Sequence, residues 1–206
     1  MRFAYFLFFH DRTAPTMRIT PSEEARVIEL VRSTPHLARG LIFTPTQASD
    51  PYLNDGPSPQ LALELYFDDI AALEDALAPD GHLQALAAPN ALPSLTRATI
   101  QQQAMLSRPY PVPIPNPVQI ADDLRCTYPV EHPGQAHDSH AWLWYCIQHH
   151  PQLMAKFEGI REIEICTRID WCGFLPWPRA NVMQRNKVVF DNPAALQASL
   201  NSPVRH

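Results

Sequence analysis

FDDIAAL, residues Phe67–Leu73, occurs a second time in the chain as FDNPAAL, residues Phe190–Leu196. Each copy follows a pattern typical of a β-strand and opens a pattern typical of a helix. The predicted elements around the first copy run β-α-β-β-α-β, and those around the second run β-α-β-β-α. The sequence therefore predicts an α+β protein built from two tandem split βαβ repeats, each with an antiparallel sheet.

The first repeat is predicted to span residues 1–108. Phe3–Phe9 is a short, aromatic-rich run that is typical of a buried strand. Thr20-Pro21-Ser22-Glu23 has the pattern of a capping box with proline at the first helical position, which predicts a helix start. Leu61–Phe67 alternates in a way that predicts a strand with one buried face, and Leu95–Leu106 predicts a long closing strand.

The second repeat is predicted to span residues 122–206. Apolar residues alternate over 124–130, which predicts its first strand, and Asp138 is a candidate cap for the next helix. Pro151 is expected to interrupt that helix. No strand pattern follows the last helix, so the second repeat is expected to be truncated before its last strand and the sequence to be incomplete at this end.

Five prolines alternate with other residues between Pro109 and Pro117. Proline has no backbone N–H and favours an extended, semi-rigid chain, so residues 109–121 are predicted to be a linker between the repeats. The alternative is a proline-rich ligand for another protein.

Composition excludes several classes of protein. Lys plus Arg is 16 and Asp plus Glu is 21, a formal charge of −5, which argues against nucleic acid as a partner. The longest apolar run, Phe3–Phe9, is far shorter than a membrane span. Four cysteines without a C-x-x-C pair favour reduced thiols and a cytoplasmic protein, with a reactive thiol or metal ligand as the alternative.

One segment of the second repeat resembles a family signature. Trp144–Leu153, followed by Phe157–Arg161, is similar to the signature of the EthD-like family, in which an aromatic residue and a His-x-Pro-Leu motif precede Pro-Gly-Leu/Ile-Arg. His149 falls on the family histidine. Gln152 and Glu158 depart from the family pattern, and the corresponding part of the first repeat is a degenerate copy.

The resemblance implies two ferredoxin-like repeats packed as a dimeric-type α/β barrel, with both sheets supplied by one chain. It also implies a small-molecule enzyme that acts on an apolar or aromatic metabolite by histidine-assisted proton transfer, of the isomerase, cyclase or cofactor-independent monooxygenase type. No cofactor or metal is expected, and a homodimer is possible. The alternative function is a non-catalytic protein that binds a hydrophobic ligand, and haem binding is a third hypothesis.

His149 is the predicted catalytic residue, because an imidazole can move a proton near neutral pH. The alternative for His149 is a structural role at the helix end, and His150 is predicted to face solvent. Trp171 and Trp177 lie on a proline-stiffened loop and are predicted to shape the pocket or, alternatively, to cover one end of the fold.

Three more residues complete the predicted ligand-binding set. Trp144 lies on the long helix, Tyr128 on the first strand of the second repeat, and Asp170 at the end of a later strand, where it could orient a histidine. His137 and His140 have a spacing that could share a metal, but the sequence offers no obvious third ligand.

Overall fold

The computed structural model describes residues 2–46, 48–51, 56–115 and 125–205, and its mixed α and β elements confirm the predicted α+β class. The strands are β1 (Arg2–His10), β2 (Leu37–Phe43), β3 (Leu61–Phe67), β4 (Thr99–Tyr110), β5 (Cys126–Pro133), β6 (Ile160–Arg168) and β7 (Val182–Phe190). The α-helices are α1 (Pro21–Arg32), α2 (Ile70–Ala76), α3 (Ser139–Met154) and α4 (Pro193–Leu200). Short 3₁₀ helices span His82–Ala87, Pro93–Leu95 and Pro203–Arg205. Within the described ranges, every helix falls short of the length and hydropathy needed to cross a bilayer.

The chain divides into two compact units. The first contains Met1–Pro45, Pro57–Leu106 and Arg168–Ala180, and the second contains Thr46–Gly56, Ser107–Thr167 and Asn181–His206. Residues 168–180 connect β6 to β7 of the second unit, but this segment packs as part of the first unit.

In the first unit the strands are hydrogen-bonded in the order β2-β3-β1-β4, and β3 is antiparallel to both β1 and β2. One face of this sheet, with Leu7 and Leu63, packs in the same apolar core as Val27 of α1 and Leu73 of α2. The expectation of a single buried face on β3 is wrong, because every residue of β3 is buried, including Glu64 on the opposite face.

Helix α1 begins with the predicted capping box. Thr20 accepts a hydrogen bond from the Glu23 backbone N–H at 3.3 Å, and the Thr20 backbone N–H donates to the Glu23 carboxylate at 2.7 Å. Ser94 adds two more donors to that carboxylate, its N–H at 2.7 Å and its hydroxyl at 2.6 Å. Burial opposes ionisation of the carboxyl, but the bonds from Ser94 and Thr20 outweigh it and lower the pKa of Glu23 to about 2.

We expect Glu23→Gln to lower the free energy of unfolding by about 1–3 kcal/mol, because an amide cannot accept all of these hydrogen bonds. A depressed carboxyl pKa stabilises the fold above the unfolded pKa, so this contribution disappears as the pH falls from about 4.5 towards about 2. Chemical denaturation at neutral and acidic pH measures both effects. Glu24→Gln, on the same turn, is the control, and an equal loss in that variant would contradict the assignment.

In the second unit the strands run β4-β6-β7-β5, where β4 enters the unit at Ser107, and β7 is antiparallel to both β5 and β6. Ile163, Phe190 and Leu196 belong to its apolar core. Helix α3 continues through Pro151 to Met154, so the predicted interruption is wrong. Pro151 lies in the last turn, where the missing N–H removes one hydrogen bond but the Ala155 N–H still donates to the Pro151 carbonyl at 2.9 Å.

The two copies of the repeated heptapeptide occupy matching places in their units. Phe67 is paired with the second residue of β1 and the first residue of β2, and Phe190 is paired with the first residues of β5 and β6. Both rings are fully buried. The residue before β2, His36, has φ 58°, and the residue before β6, Gly159, has φ 78°, so both neighbouring strands start from a left-handed turn.

Two further predictions concern the sheets and the linker. The expected barrel closure is not found in the described residues. Strand β2 in the first unit and strand β5 in the second unit are edge strands, each paired on one side only.

Strand β4 extends to Tyr110, so it includes the first two residues of the predicted linker. Residues 111–115 are outside any strand, and 116–121 lie outside the described residues.

Candidate functional site

The two adjacent histidines of helix α3, His149 and His150, lie on different faces of the helix. Residues four apart lie on the same face of a helix, so His150 shares a face with buried Cys146, and His149 shares one with Tyr145, which is 56% exposed. His150 is half-buried and borders a cavity, which makes the prediction that it faces solvent wrong. His149 is exposed.

The cavity lies within the second unit and has a volume of about 310 Å³. That volume lies near the lower end of the range typical of small-molecule sites. Its apolar wall is formed by Val130, Leu153, Met154, Phe157, Val188, Phe190, Leu196, Leu200 and Val204. Its polar groups come from Tyr128, His132, His150, Asn186 and Ser199.

Two imidazoles face this cavity from different elements. The ring centroids of His132 on β5 and His150 on α3 are 6.5 Å apart. Burial lowers the pKa of His132 below its ordinary value of 6.5, and His150 lowers it further. Burial and then the neighbouring His149 lower the pKa of His150. Both imidazoles are therefore neutral at pH 7 and able to accept a proton.

A chain of side chains on β7 orients His132. Gln184 donates its amide N–H to Asn186 Oδ1 at 2.6 Å, which leaves the Asn186 amide nitrogen as the group that faces His132 Nε2 at 3.4 Å. Nε2 is then an acceptor, so the ring proton of the neutral imidazole lies on Nδ1. Trp142 of α3 packs edge-on against the same ring, with centroids 5.2 Å apart.

Tyr128 lines the cavity with its aromatic ring, and its hydroxyl is bound by a residue that is not part of the lining. Its hydroxyl donates a hydrogen bond of 2.8 Å to Asp50, which belongs to the same unit. This hydrogen bond fixes the orientation of the Tyr128 ring from its hydroxyl end. The predicted binding residue Tyr128 thus lines the cavity that holds the two imidazoles.

The other predicted residues of this unit lie elsewhere. His149 is not among the residues around the cavity; its Nδ1 lies 2.8 Å from the Tyr145 carbonyl and its ring stacks on Tyr145 with centroids 4.3 Å apart. The carbonyl holds one ring nitrogen, and the imidazole does not border the cavity that His132 and His150 line. Trp144 is 69% exposed. The catalytic role of His149 and the binding role of Trp144 stay predictions.

Trp171, Trp177 and Asp170 all belong to the first unit, whereas His149 belongs to the second. Trp171 is buried against Tyr5, with ring centroids 5.7 Å apart. Trp177 borders a separate cavity of the first unit, and Asp170 is exposed. The sequence places Trp171 and Trp177 on one loop, as the structure does, but it predicts Asp170 at the end of a strand, whereas β6 ends at Arg168. The sequence gives no signal that this loop packs as part of the first unit.

The candidate metal pair does not form one helix face. His137 precedes the helix cap Asp138, whereas His140 lies inside α3, so the three-residue spacing does not bring the imidazoles into line. Both residues are exposed.

The chain was compared with known proteins by sequence and by structure. No protein-family model matches it, and no curated protein matches its sequence. Among solved structures, an anthrone oxidase-like protein matches over 100% of this chain and 79% of its own, with 13% identity and a TM-score of 0.56. A candidate monooxygenase from Fusobacterium nucleatum matches over 98% and 81%, with 10% identity and a TM-score of 0.53. One from Lactobacillus acidophilus matches over 98% and 83%, with 12% identity and a TM-score of 0.50.

At these identities the likeness concerns the fold alone. The chain shares its fold with these proteins over nearly its whole length.

Proposed function

We propose that the chain is an enzyme that transfers a proton to or from a neutral, largely aromatic small molecule in the cavity of the second unit. The observation that carries this proposal is the pair formed by His132 and His150, two neutral imidazoles 6.5 Å apart in a mostly apolar cavity. Neutral imidazole is the general base that works best near pH 7. An apolar wall selects an uncharged, flat substrate.

The two imidazoles have different parts in the proposed step. His150 has no protein hydrogen bond among the described residues, so a ring nitrogen is available to accept a proton from an activated C–H of the substrate. The electron pair of the broken C–H bond moves onto a conjugated carbonyl oxygen. His132, whose proton lies on Nδ1, donates a hydrogen bond to that developing oxyanion.

The substrate class follows from this chemistry. The substrate has a C–H bond beside an aromatic ring and a conjugated carbonyl, so that the carbanion is delocalised. Proton transfer changes no oxidation state, whereas oxygenation of the carbanion would require O₂ as co-reactant. Anthrone has these features, and one protein with the same fold is described as anthrone oxidase-like.

We also propose that the two units are tandem ferredoxin-like copies. The matching pairings of Phe67 and Phe190, with the left-handed turns at His36 and Gly159, support a duplicated βαββ core. In the second copy the proposed site lies between the helices and the sheet.

Binding of anthrone is expected to shift the ring ¹H resonances of His132 and His150 and to leave those of His149 unchanged. The physical reason is that only the first two rings border the cavity. Histidine spectra of the full chain, assigned with single His→Gln variants, measure the shifts. A shift of His149 alone, or no shift of either cavity imidazole at saturating anthrone, would overturn the proposed site.

A further inference from the structure

The first unit contains a cavity that the proposed function does not use. Its volume is about 370 Å³, and its walls include Phe9, Leu86, Leu92, Ile100 and Trp177. All of the lining residues belong to the first unit. The Trp177 ring lies edge-on to Phe9 with centroids 5.6 Å apart, so two aromatic rings meet at one wall.

Gln102 holds the loop segment that carries Trp177 through four hydrogen bonds. The Gln102 side-chain amide donates to the carbonyls of Leu175 at 3.0 Å and Trp177 at 2.5 Å. Its backbone N–H donates to the Pro178 carbonyl at 3.1 Å, and its carbonyl accepts from Ala180 at 2.8 Å. Buried Gln102 thus fixes the loop on both sides of the tryptophan, and the cavity wall exists before any ligand binds.

The side chains that line this cavity are mostly apolar, and all of them are uncharged. The lining contains no acid, base or other ionisable side chain, and its polar side chains are Asn90, Thr96 and Thr99. A charged ligand would lose its hydration here without gaining a partner of opposite charge. A flat aromatic ligand would instead gain contact with Trp177 and Phe9.

We infer that this cavity is a second ligand site, which binds a neutral aromatic molecule of one or two fused rings without transforming it. The volume fits a ligand of that size, and the absence of a proton donor or acceptor side chain in the lining distinguishes this site from the cavity of the second unit. The inference is independent of the proposed function, because the two sites share no residue.

The test compares two ligands with the same rings. Naphthalene is expected to bind and to shift the indole N–H resonance of Trp177 but not that of Trp144, and 2-naphthoate is expected to bind at least about tenfold more weakly. Trp177→Ala should weaken naphthalene binding at this cavity, followed through the methyl resonances of Ile100, by at least about tenfold, whereas Trp144→Ala should leave it unchanged. Ala91→Leu adds bulk to the lining while keeping Trp177, and should abolish the naphthalene-induced shift of the Trp177 indole N–H.

His150→Gln should leave naphthalene-induced shifts of Trp177 unchanged, which separates this site from the proposed catalytic cavity. Equal affinity for naphthoate and naphthalene as measured by the Trp177 indole shift, or a Trp177 shift that survives Ala91→Leu, would overturn the second site.

Discussion

Replacing His150 by glutamine is expected to slow protein-catalysed deuterium exchange at the methylene carbon of anthrone by at least about 100-fold. Glutamine has a similar shape and can hydrogen-bond, but it cannot accept a proton at neutral pH. The measurement is ¹H NMR of anthrone in D₂O without oxygen, so that exchange reports proton transfer and no later oxidation.

His149→Gln is the matched control, since it removes an imidazole from the adjacent, exposed position of the same helix. Its exchange rate should stay within about twofold of the unmodified protein, because His149 does not border the cavity. If His149→Gln were the variant that lost exchange, the catalytic residue would be the one indicated by the sequence motif, and the cavity assignment would be wrong.

Lys187→Met is expected to lower the free energy of unfolding by about 3–5 kcal/mol. Lys187 Nζ lies 2.5 Å from Glu164 Oε2, and both side chains are less than one-tenth exposed. Ser107 and Cys166 also donate to the Glu164 carboxylate. Removing the ammonium leaves a buried carboxylate without its opposite charge, which costs far more than the loss of a surface ion pair.

Two comparisons make this stability prediction specific. The double variant Lys187→Met with Glu164→Leu should recover most of the loss, because both charges are then absent. Arg2→Met breaks the exposed pair between Arg2 and Asp68 and should cost less than about 1 kcal/mol. Urea denaturation measures all three variants, and a loss for Lys187→Met no larger than that for Arg2→Met would contradict the prediction.

The regular elements of the fold were predictable because they depend on local chemistry. The capping box of Thr20 and Glu23 marks the start of α1, and the alternation over Leu61–Phe67 marks β3. The burial of both faces of β3 was not predictable, since Glu64 is a polar residue at a position that local patterns assign to solvent. The course of Arg168–Ala180 also depends on contacts between residues far apart in sequence.

The candidate site was predicted in part. Tyr128 lines the cavity, but the motif drew attention to His149 rather than to His150, one position later. The helical repeat from Cys146 to His150 could have indicated the buried face of α3. The helical repeat does not reveal that His132 lies beside α3, because this is a contact between a strand and a helix.

The central claim is that the cavity of the second unit transfers a proton through His132 and His150. The most direct measurement is the rate of deuterium exchange at the anthrone methylene in oxygen-free D₂O as a function of pH. We predict exchange that is proportional to protein concentration, constant above pH 7, and lost as the pH falls through the lowered imidazole pKa values, below 6.5, because protonated imidazole cannot act as a base. Exchange no faster than in buffer, or a rate unchanged in the double variant His132→Gln with His150→Gln, would contradict the claim.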